Sequence, residues 1–244
     1  MKSVWITGAS SGIGRALAMR LADLGWSVLA TARNEDALLQ LEQYSSNIQA
    51  LPADLTVAQD IDTLRTFFDL RGQGLDALVV NAGSCEYMDN ATLDSASLRR
   101  VFELNVFAAA ETIDVALPWL KKAAGHVLGI ISMSVYLPFT RAEYYGASKA
   151  AFRYYLQSLR VDLAASGVSV TEVYPGFIDT PLTEKNDFPM PLLMPVDKAV
   201  QRLVAALDSR PLRSAFPWRL HVLLKLMAVL SPLWRVVHQA KPVS

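Results

Sequence analysis

The 244-residue sequence predicts an α/β fold in which a doubly wound parallel sheet carries helices on both faces, giving three layers. Short apolar runs alternate with longer segments of helical periodicity, and the runs are apolar throughout, as in strands buried on both sides. A glycine-rich turn also follows the first run directly. No linker-like stretch breaks the alternation, so we expect one domain over residues 1–244.

The elements follow in order along the chain. The predicted strands are short apolar runs, at 4–7, 28–31, 48–51, 77–80, 127–131 and 168–173. The predicted helices show apolar residues at helical intervals, at 13–24, 35–44, 61–70, 98–121 and 147–165. Residues 177–195 hold four prolines and predict a loop beside the binding site that is mobile without ligand. Residues 217–238 predict an apolar helical extension.

Composition narrows the classes of partner. Lys plus Arg and Asp plus Glu are equal at 23 each, so no net basic field favours nucleic acid. The single cysteine, Cys85, cannot close an intrachain disulfide, and the glycine motif begins too early for a signal peptide, so we expect a cytoplasmic protein. The three histidines have no metal-like spacing, so no metal is expected at His126, His221 and His238.

The first strand runs into the sequence TGASSGIG at residues 7–14. Its first glycine permits a tight turn, its second a close approach of pyrophosphate, and its third the packing of the next helix on the sheet. An ordinary glycine-rich turn is the alternative, but the position between a strand and a helix favours a dinucleotide site. The residues predicted to contact the cofactor here are Gly8, Ser10, Ser11, Gly12, Ile13 and Gly14.

Arg33 follows the second strand, where an NAD site usually carries an acidic residue for the ribose hydroxyl. Its guanidinium is suited to a 2'-phosphate, which favours NADP(H). A solvated surface arginine is the alternative. The next residue, Asn34, is predicted to cap the second helix.

The ends of the third and fourth strands supply further candidates. Asp54 and Leu55 follow the third strand, where Asp54 can accept a hydrogen bond from adenine or instead cap a helix ahead of Thr56. The small residues of Asn81-Ala82-Gly83 close the fourth strand and would let the backbone approach the cofactor. A plain strand-end turn is the alternative there.

Tyr145 and Lys149 are four residues apart in a helical segment, so both side chains lie on one helix face. A tyrosine titrates near pH ~10, and an ammonium ~4 Å away at an effective dielectric of ~20 supplies about 4 kcal/mol, equivalent to several pKa units. The pair predicts a proton donor whose pKa is lowered. A chance pair on an amphipathic helix is the alternative.

Two more polar residues point to the same chemistry. Ser132 ends the fifth strand, and its hydroxyl is placed to hydrogen-bond a reacting oxygen, with Ser134 as its rival for that role. Asn105 is polar in a mostly apolar helix. It either holds a water that relays protons to Lys149 or makes ordinary core hydrogen bonds.

Together, TGASSGIG, NAG, Asn105, Ser132 and YGASK resemble the short-chain dehydrogenase/reductase family over about residues 3–210. The resemblance implies a Rossmann-like fold and hydride transfer between NADP(H) and a carbonyl or secondary alcohol. It implies that Tyr145 is the general acid/base, that Lys149 lowers its pKa and binds the nicotinamide ribose, and that Ser132 polarises the carbonyl. Asn105 would support a proton relay.

The resemblance extends beyond the catalytic residues. Residues 175–180 are similar to the family's nicotinamide loop, which implies cofactor contacts at Pro175, Gly176, Ile178 and Thr180. Aromatic residues close to these motifs in sequence suggest an apolar substrate, although core packing explains them equally well: Tyr136, Phe139, Tyr144 and Phe188. The predicted helices 98–121 and 147–165 resemble the family's paired-helix interface, so we expect a homodimer, with a tetramer as the alternative.

Several residues depart from the family pattern. Val80 stands where the family often has asparagine, and Ser11 where many NADP enzymes have a second basic residue, so cofactor preference depends on Arg33. The usual C-terminal strand with Asp-Gly-Gly is missing, so the resemblance implies neither the family's substrate-side geometry nor a tetramer. Alternative functions on this fold are a non-catalytic dinucleotide-binding sensor and a peripheral membrane protein acting through residues 218–237, for which internal packing or a subunit contact is the favoured interpretation.

Overall fold

A computed structural model of the protein describes residues 1–88 and 92–230. Its centre is a sheet of seven parallel strands, in the order β3-β2-β1-β4-β5-β6-β7. The strands are β1 (Ser3–Thr7), β2 (Ser27–Ala32), β3 (Ile48–Pro52), β4 (Ala77–Val80), β5 (His126–Ile130), β6 (Ser169–Pro175) and β7 (Arg213–Phe216). The chain leaves β1 toward β2 on one side and returns to β4 on the other, so a crevice opens at the carboxyl ends of β1 and β4.

Helices cover both faces of this sheet. They are α1 (Gly12–Asp23), α2 (Glu35–Tyr44), α3 (Ala58–Arg71), α4 (Ser95–Phe102), α5 (Ala108–Ala123), α6 (Glu143–Leu163), α7 (Val196–Ser209) and α8 (Trp218–Val229). Alternate side chains of β1 enter two separate cores. Trp5 packs with Phe68 of α3, with ring centroids 4.7 Å apart, whereas Ile6 packs with the core that contains Leu17 of α1 and Leu203 of α7. The predicted three-layer, doubly wound fold is confirmed.

The predicted helix over 98–121 is not continuous. The α-helical pieces α4 and α5 are joined by a π-helical turn, Glu103–Phe107, which contains the buried Asn105. A π turn accommodates one extra residue in a helix, often beside a functional site. Here it lets the Asn105 side chain reach Ser84 and Ser148 instead of the neighbouring helical turn.

The expectation that the C-terminal strand is missing is wrong. Residues Arg213–Phe216 form β7, which pairs in parallel with β6, so that Tyr174 lies opposite Ala215. The Asp-Gly-Gly sequence is indeed absent, but the strand is stabilised by its pairing with β6 rather than by a recognisable pattern of its own.

The segment that we call the lid, residues 177–195, and helix α8 lie over the carboxyl end of the sheet. The lid forms turns and one isolated bridge, between Ile178 and Met194, which agrees with the predicted loop. The predicted extension begins as helix α8, and its residues 231–238 lie outside the described part of the chain. Within residues 1–88 and 92–230, no helix has the length and apolar character needed to span a membrane.

Candidate active site

The glycine turn between β1 and α1 has the shape of an anion cradle. Gly8 and Gly12 adopt positive φ angles of 67° and 52°, which favour glycine. A side chain on Gly14 would put its Cβ 2.3 Å from the carbonyl oxygen of Gly8, so the helix packs close to the turn. Ser11 precedes the helix but makes no side-chain cap, which leaves the first-turn amides open to a ligand. These residues fit a dinucleotide pyrophosphate.

Thr7 was not singled out by its sequence position, yet it joins this turn to β4. Its hydroxyl oxygen accepts hydrogen bonds from the amides of Asn81 and Ala82, both at 3.1 Å. The Asn81 side chain donates in turn to the carbonyl oxygens of Thr7 and Gly8, at 3.0 and 3.2 Å. Asn81 is therefore used to hold the two strand ends together. A polar residue at the end of an apolar strand was the only sequence feature that pointed to Thr7.

Arg33 lies at the end of β2 with a largely exposed side chain, 3.9 Å from a carboxylate oxygen of Asp54. The other oxygen of Asp54 accepts hydrogen bonds from the amide and hydroxyl of Thr56, at 3.0 and 2.8 Å. Asp54 thus closes a local turn, and the alternative that it caps a helix is wrong, because α3 begins at Ala58 with Val57 at its N-cap. Asn34 accepts a hydrogen bond from the Ala37 amide at 3.0 Å and caps α2, as predicted.

The other predicted cofactor residues differ in exposure. Ser10 and Ile13 are half-buried in the turn, and Ser11 is exposed. The side chain of Leu55 is buried in the core. Gly83 lies at the end of β4, where a Cβ would come within 3.2 Å of the Lys149 ammonium.

The loop after β6 lies next to the glycine turn and faces it across the crevice. Pro175 ends the strand, and the Gly176 amide donates to the carbonyl oxygen of Phe216 at 2.8 Å. Ile178 and Thr180 are buried beyond it. A Cβ on Gly12 would lie 3.3 Å from Thr180, so the loop after β6 and the glycine turn form two sides of one crevice.

Tyr145, Lys149 and Ser132 lie together at the carboxyl ends of β4 and β5. The buried Lys149 ammonium donates to the carbonyl oxygen of Ile130 at 3.0 Å and lies 5.9 Å from the centre of the Tyr145 ring. Tyr145 and Ser132 line the same cavity. The Ser132 side-chain oxygen accepts a hydrogen bond from the Ser134 amide at 3.1 Å.

Burial controls the titration of these groups. It raises the pKa of Tyr145 to about 12, while the hydroxyl of Ser132 lowers that pKa in part. Burial also lowers the pKa of Lys149 to about 8. In the protein alone the tyrosine pKa is thus above its ordinary value, contrary to the expected depression by Lys149, because desolvation of the phenol has the largest effect on it.

Asn105 uses its side chain to join three segments. Its oxygen accepts from the Ser84 amide at 2.9 Å, and its nitrogen donates to the Ser84 carbonyl oxygen and to the Ser148 hydroxyl oxygen, both at 2.9 Å. Ser148 donates onward to the Tyr145 carbonyl oxygen at 2.8 Å. Both amide hydrogens are therefore used within the protein, which is the core role left open by the sequence. Ser148 was missed because nothing in its sequence position marks it.

An apolar cavity of about 610 Å³ adjoins Tyr145 and Ser132. Its walls come from the segment after β5, from the end of β6, from the lid and from α8, and its large apolar members are Met133, Phe139, Phe177, Leu182, Phe188, Leu220, Leu223, Leu224 and Met227. Of the four aromatic residues suggested by the sequence, Phe139 and Phe188 line this cavity. Tyr144 instead accepts a hydrogen bond from the Asp94 amide, and Tyr136 stacks on Tyr174 in the core.

The lid is fastened to the rest of the cavity wall by a cluster that we call the clasp, formed by Tyr87, Arg141, Asn186, Asp187 and Phe188. The Arg141 guanidinium contacts both carboxylate oxygens of Asp187, at 2.7 and 3.0 Å, and lies 5.3 Å from the Tyr87 ring centre. Tyr87 donates its hydroxyl to Asn186 and packs edge-on against Phe188.

Comparison with known proteins agrees with this geometry. The family model described as short chain dehydrogenase matches residues 2–189. An uncharacterized oxidoreductase of Myxococcus xanthus is 35% identical over 234 residues, covering 94% of this chain and 92% of its own.

Two solved structures are similar over nearly the whole chain. A short-chain dehydrogenase from Streptomyces avermitilis has a TM-score of 0.85 at 28% identity, covering 97% of this chain and 95% of its own. A short-chain dehydrogenase from Sphingobium yanoikuyae in complex with NADPH has a TM-score of 0.80 at 26% identity, covering 100% and 98%. The glycine turn, the helix-borne tyrosine and lysine, and these matches together make the chain an oxidoreductase that belongs to the short-chain dehydrogenase family.

Proposed function

We propose that the protein transfers hydride between NADP(H) and the carbonyl or secondary alcohol of a small, apolar substrate. The observation that carries the proposal is the position of Tyr145 and Ser132 in the wall of an apolar cavity, with the Lys149 ammonium held beside the tyrosine ring. When bound, NADPH supplies the hydride that reduces a carbonyl carbon, and NADP⁺ accepts it in the reverse direction.

In this proposal the three side chains act on the oxygen of the substrate. Ser132 donates its hydroxyl to that oxygen and polarises the carbonyl. Tyr145 gives its proton to the oxygen during reduction and removes one during oxidation. Lys149 has a pKa of about 8 and so keeps its proton near neutrality, which places a positive charge beside the phenol and favours its ionised form. Asn105 keeps the helix of Tyr145 and Lys149 in position through Ser148.

The preference for NADP(H) is supported by Arg33. Its guanidinium is largely exposed at the end of β2, and the strand end has no acidic residue to bind a ribose hydroxyl. The related protein from Sphingobium yanoikuyae was solved with NADPH. We assign the cofactor to the glycine turn, to the ends of β2, β3 and β4, and to the loop after β6, with Tyr145 and Lys149 at the nicotinamide end.

We further propose a homodimer. Apolar side chains are exposed at the end of the π-helical turn and along α6, namely Phe107, Tyr154 and Val161. These are the helices whose sequences predict the pairing, and burial of such residues in a second copy is favourable. A tetramer is the alternative, and the cytoplasm is the proposed location.

The function is tested by a screen of apolar ketones, aldehydes and secondary alcohols with NADPH, NADH and their oxidised forms, followed by nicotinamide absorbance. For an active substrate, Tyr145→Phe is expected to lower kcat by about 100-fold or more while NADPH binding is unchanged. Tyr154→Phe, which removes a hydroxyl from the same helix at an exposed site, is the matched control. Equal turnover by Tyr145→Phe and wild type would overturn the assignment.

A further inference from the structure

The outer side of helix α8 is an apolar face that the described residues leave uncovered. Trp218, Val222, Leu226 and Val229 recur at intervals of four, four and three residues, so they share one side of the helix. Trp218 is 64% exposed, Leu226 60% and Val229 81%. We call these four residues the outer face. Isolated exposed apolar residues are ordinary on proteins, but a continuous row on one helix marks a contact surface.

The opposite side of the same helix forms a wall of the cavity. Leu220 and Leu224 are buried and line the cavity, and Leu220 is held close to Gly176, where a Cβ would come within 2.7 Å of it. Leu223 both lines the cavity and is half exposed, so it lies where the cavity meets the surface. Leu223 therefore connects the outer face, around the same helix, with the apolar cavity wall next to Tyr145.

Charge distinguishes this part of the chain from the rest. From residue 218 to residue 244 the sequence contains no Asp or Glu and four basic residues, Arg219, Lys225, Arg235 and Lys241, in a chain with zero net charge. Arg219 and Lys225 are exposed on α8, and Arg219 lies 5.7 Å from the ring centre of Trp218. Arg235 and Lys241 lie outside the described residues. A helix face that combines large apolar side chains with basic residues, and no acidic ones, has the chemistry that binds anionic lipid surfaces.

A second copy of the chain is a poorer occupant for this face. In a two-fold dimer the same patch meets itself, so each Arg219 would face a basic helix with no carboxylate on α8 to pair with it. An anionic bilayer suits both the apolar and the basic side chains of α8. It accepts the apolar side chains below its headgroups, and the charged headgroups attract the basic residues.

We infer that helix α8 lies along the surface of an anionic membrane, with its outer face inserted at the boundary between the headgroups and the acyl chains. The mouth of the cavity at Leu223 then lies next to the lipid. A membrane-dissolved apolar substrate can enter there without crossing water, a consequence that rests on the proposed function, whereas the membrane contact itself does not.

The test is flotation of the full-length protein with vesicles of phosphatidylcholine alone or mixed with phosphatidylglycerol. Wild type is expected to float with the anionic vesicles, less with the neutral ones, and less as salt is raised. The double variant Leu226→Glu, Val229→Glu alters two outer-face residues that do not line the cavity, and we expect it to lower the bound fraction at least tenfold. Leu39→Glu, Leu70→Glu is the matched control, because it adds the same charge at two exposed leucines on α2 and α3 and is expected to float like wild type.

Circular dichroism and the Tm establish whether each variant is folded. A loss of flotation is interpreted only for variants that are folded. Absence of wild-type flotation with anionic vesicles, or equal flotation of the outer-face variant, would overturn the inference. A change from dimer to monomer in the outer-face variant, seen by light scattering without any lipid binding by wild type, would assign the face to a second copy instead. None of these measurements uses turnover, so failure of the membrane contact and failure of the proposed reaction are distinguishable.

Discussion

The side-chain oxygen of Ser132 accepts a hydrogen bond from the amide of Ser134 at 3.1 Å, and this contact separates the roles of the two serines. The amide fixes the Ser132 oxygen and leaves its hydroxyl hydrogen to be donated toward Tyr145 or a substrate oxygen. The Ser134 hydroxyl is buried and has no hydrogen-bond partner among the described residues. The geometry therefore favours Ser132 as the residue that acts on the reacting oxygen.

Replacing the two serines is expected to give opposite results. Ser132→Ala should lower kcat by about 100-fold or more, because it removes a preorganised donor to the reacting oxygen. Ser134→Ala should leave kcat within a few-fold of wild type and should not lower the Tm, because it removes a hydroxyl that is buried without a partner. Steady-state kinetics and thermal unfolding of both variants check this. A larger kinetic loss in Ser134→Ala than in Ser132→Ala would reverse the assignment.

Cofactor choice is expected to depend on Arg33. Arg33→Ala should raise the KM for NADPH by roughly 10- to 100-fold, since hydrogen bonds to charged groups contribute about 1.5–3 kcal/mol, and should change the KM for NADH little. Asp54→Asn should instead lower the KM for NADPH, because it removes a negative charge that lies 3.9 Å from the guanidinium. Arg99→Ala, at an exposed site on α4, is the control. Parallel losses with both cofactors in Arg33→Ala would contradict a role at the 2'-phosphate.

The clasp is expected to affect substrate binding more than chemistry. Asp187→Asn breaks the exposed ion pair with Arg141, and such pairs contribute at most about 1 kcal/mol, so the KM for substrate should rise only about two- to five-fold with little change in kcat. Asp114→Asn is the matched control, because it breaks another exposed pair, with Arg65 at 3.0 Å, away from the lid. Equal effects of the two variants on KM would show that the clasp has no role in holding the lid.

Acid stability is expected to depend on His126. Burial lowers its pKa from 6.5 to about 4 in the folded protein, and its Nε2 lies 2.8 Å from the Thr171 hydroxyl. Between pH 4 and 6.5 the unfolded chain binds more protons at this residue than the folded one, so stability falls as the pH is lowered through this window.

At pH 5 this amounts to a loss of about 2 kcal/mol from His126, which His126→Gln should not show. Urea unfolding of both proteins at pH 7.5 and pH 5 measures the difference. The free energy of unfolding of wild type should fall more between these pH values than that of the variant. Identical pH dependence would mean that the pKa of His126 is the same in the folded and the unfolded protein.

The order of strands and helices around the glycine turn could be predicted because each element carries its own pattern. Strand β7 could not be predicted in this way, because Arg213 and Ser214 are polar and the strand is stabilised by its pairing with β6. The break between α4 and α5 also has no sequence pattern, since the π turn becomes evident only when Asn105 is seen bonded to Ser84 and Ser148.

The site shows the same division between local and non-local information. The spacing of Tyr145 and Lys149 places them on one helix face, but it does not show how deeply the phenol is buried. The predicted lowering of the Tyr145 pKa was therefore wrong for the protein alone. The lid was recognised from its prolines, whereas the contact of Arg141 with Asp187 joins residues far apart in sequence and required the structure.

The π-helical turn at Glu103–Phe107 decides where this helix can lose a residue. Because the turn holds one extra residue, deleting one residue there would let α4 and α5 merge into a regular helix in which Ile113 and Ala116 still face the sheet. The contact of Asn105 with Ser84 would be lost. A deletion within α5 meets no extra residue and would rotate every later residue of that helix by about 100°. A one-residue deletion in the turn should therefore preserve the packing of α5 on the sheet far better than one within α5.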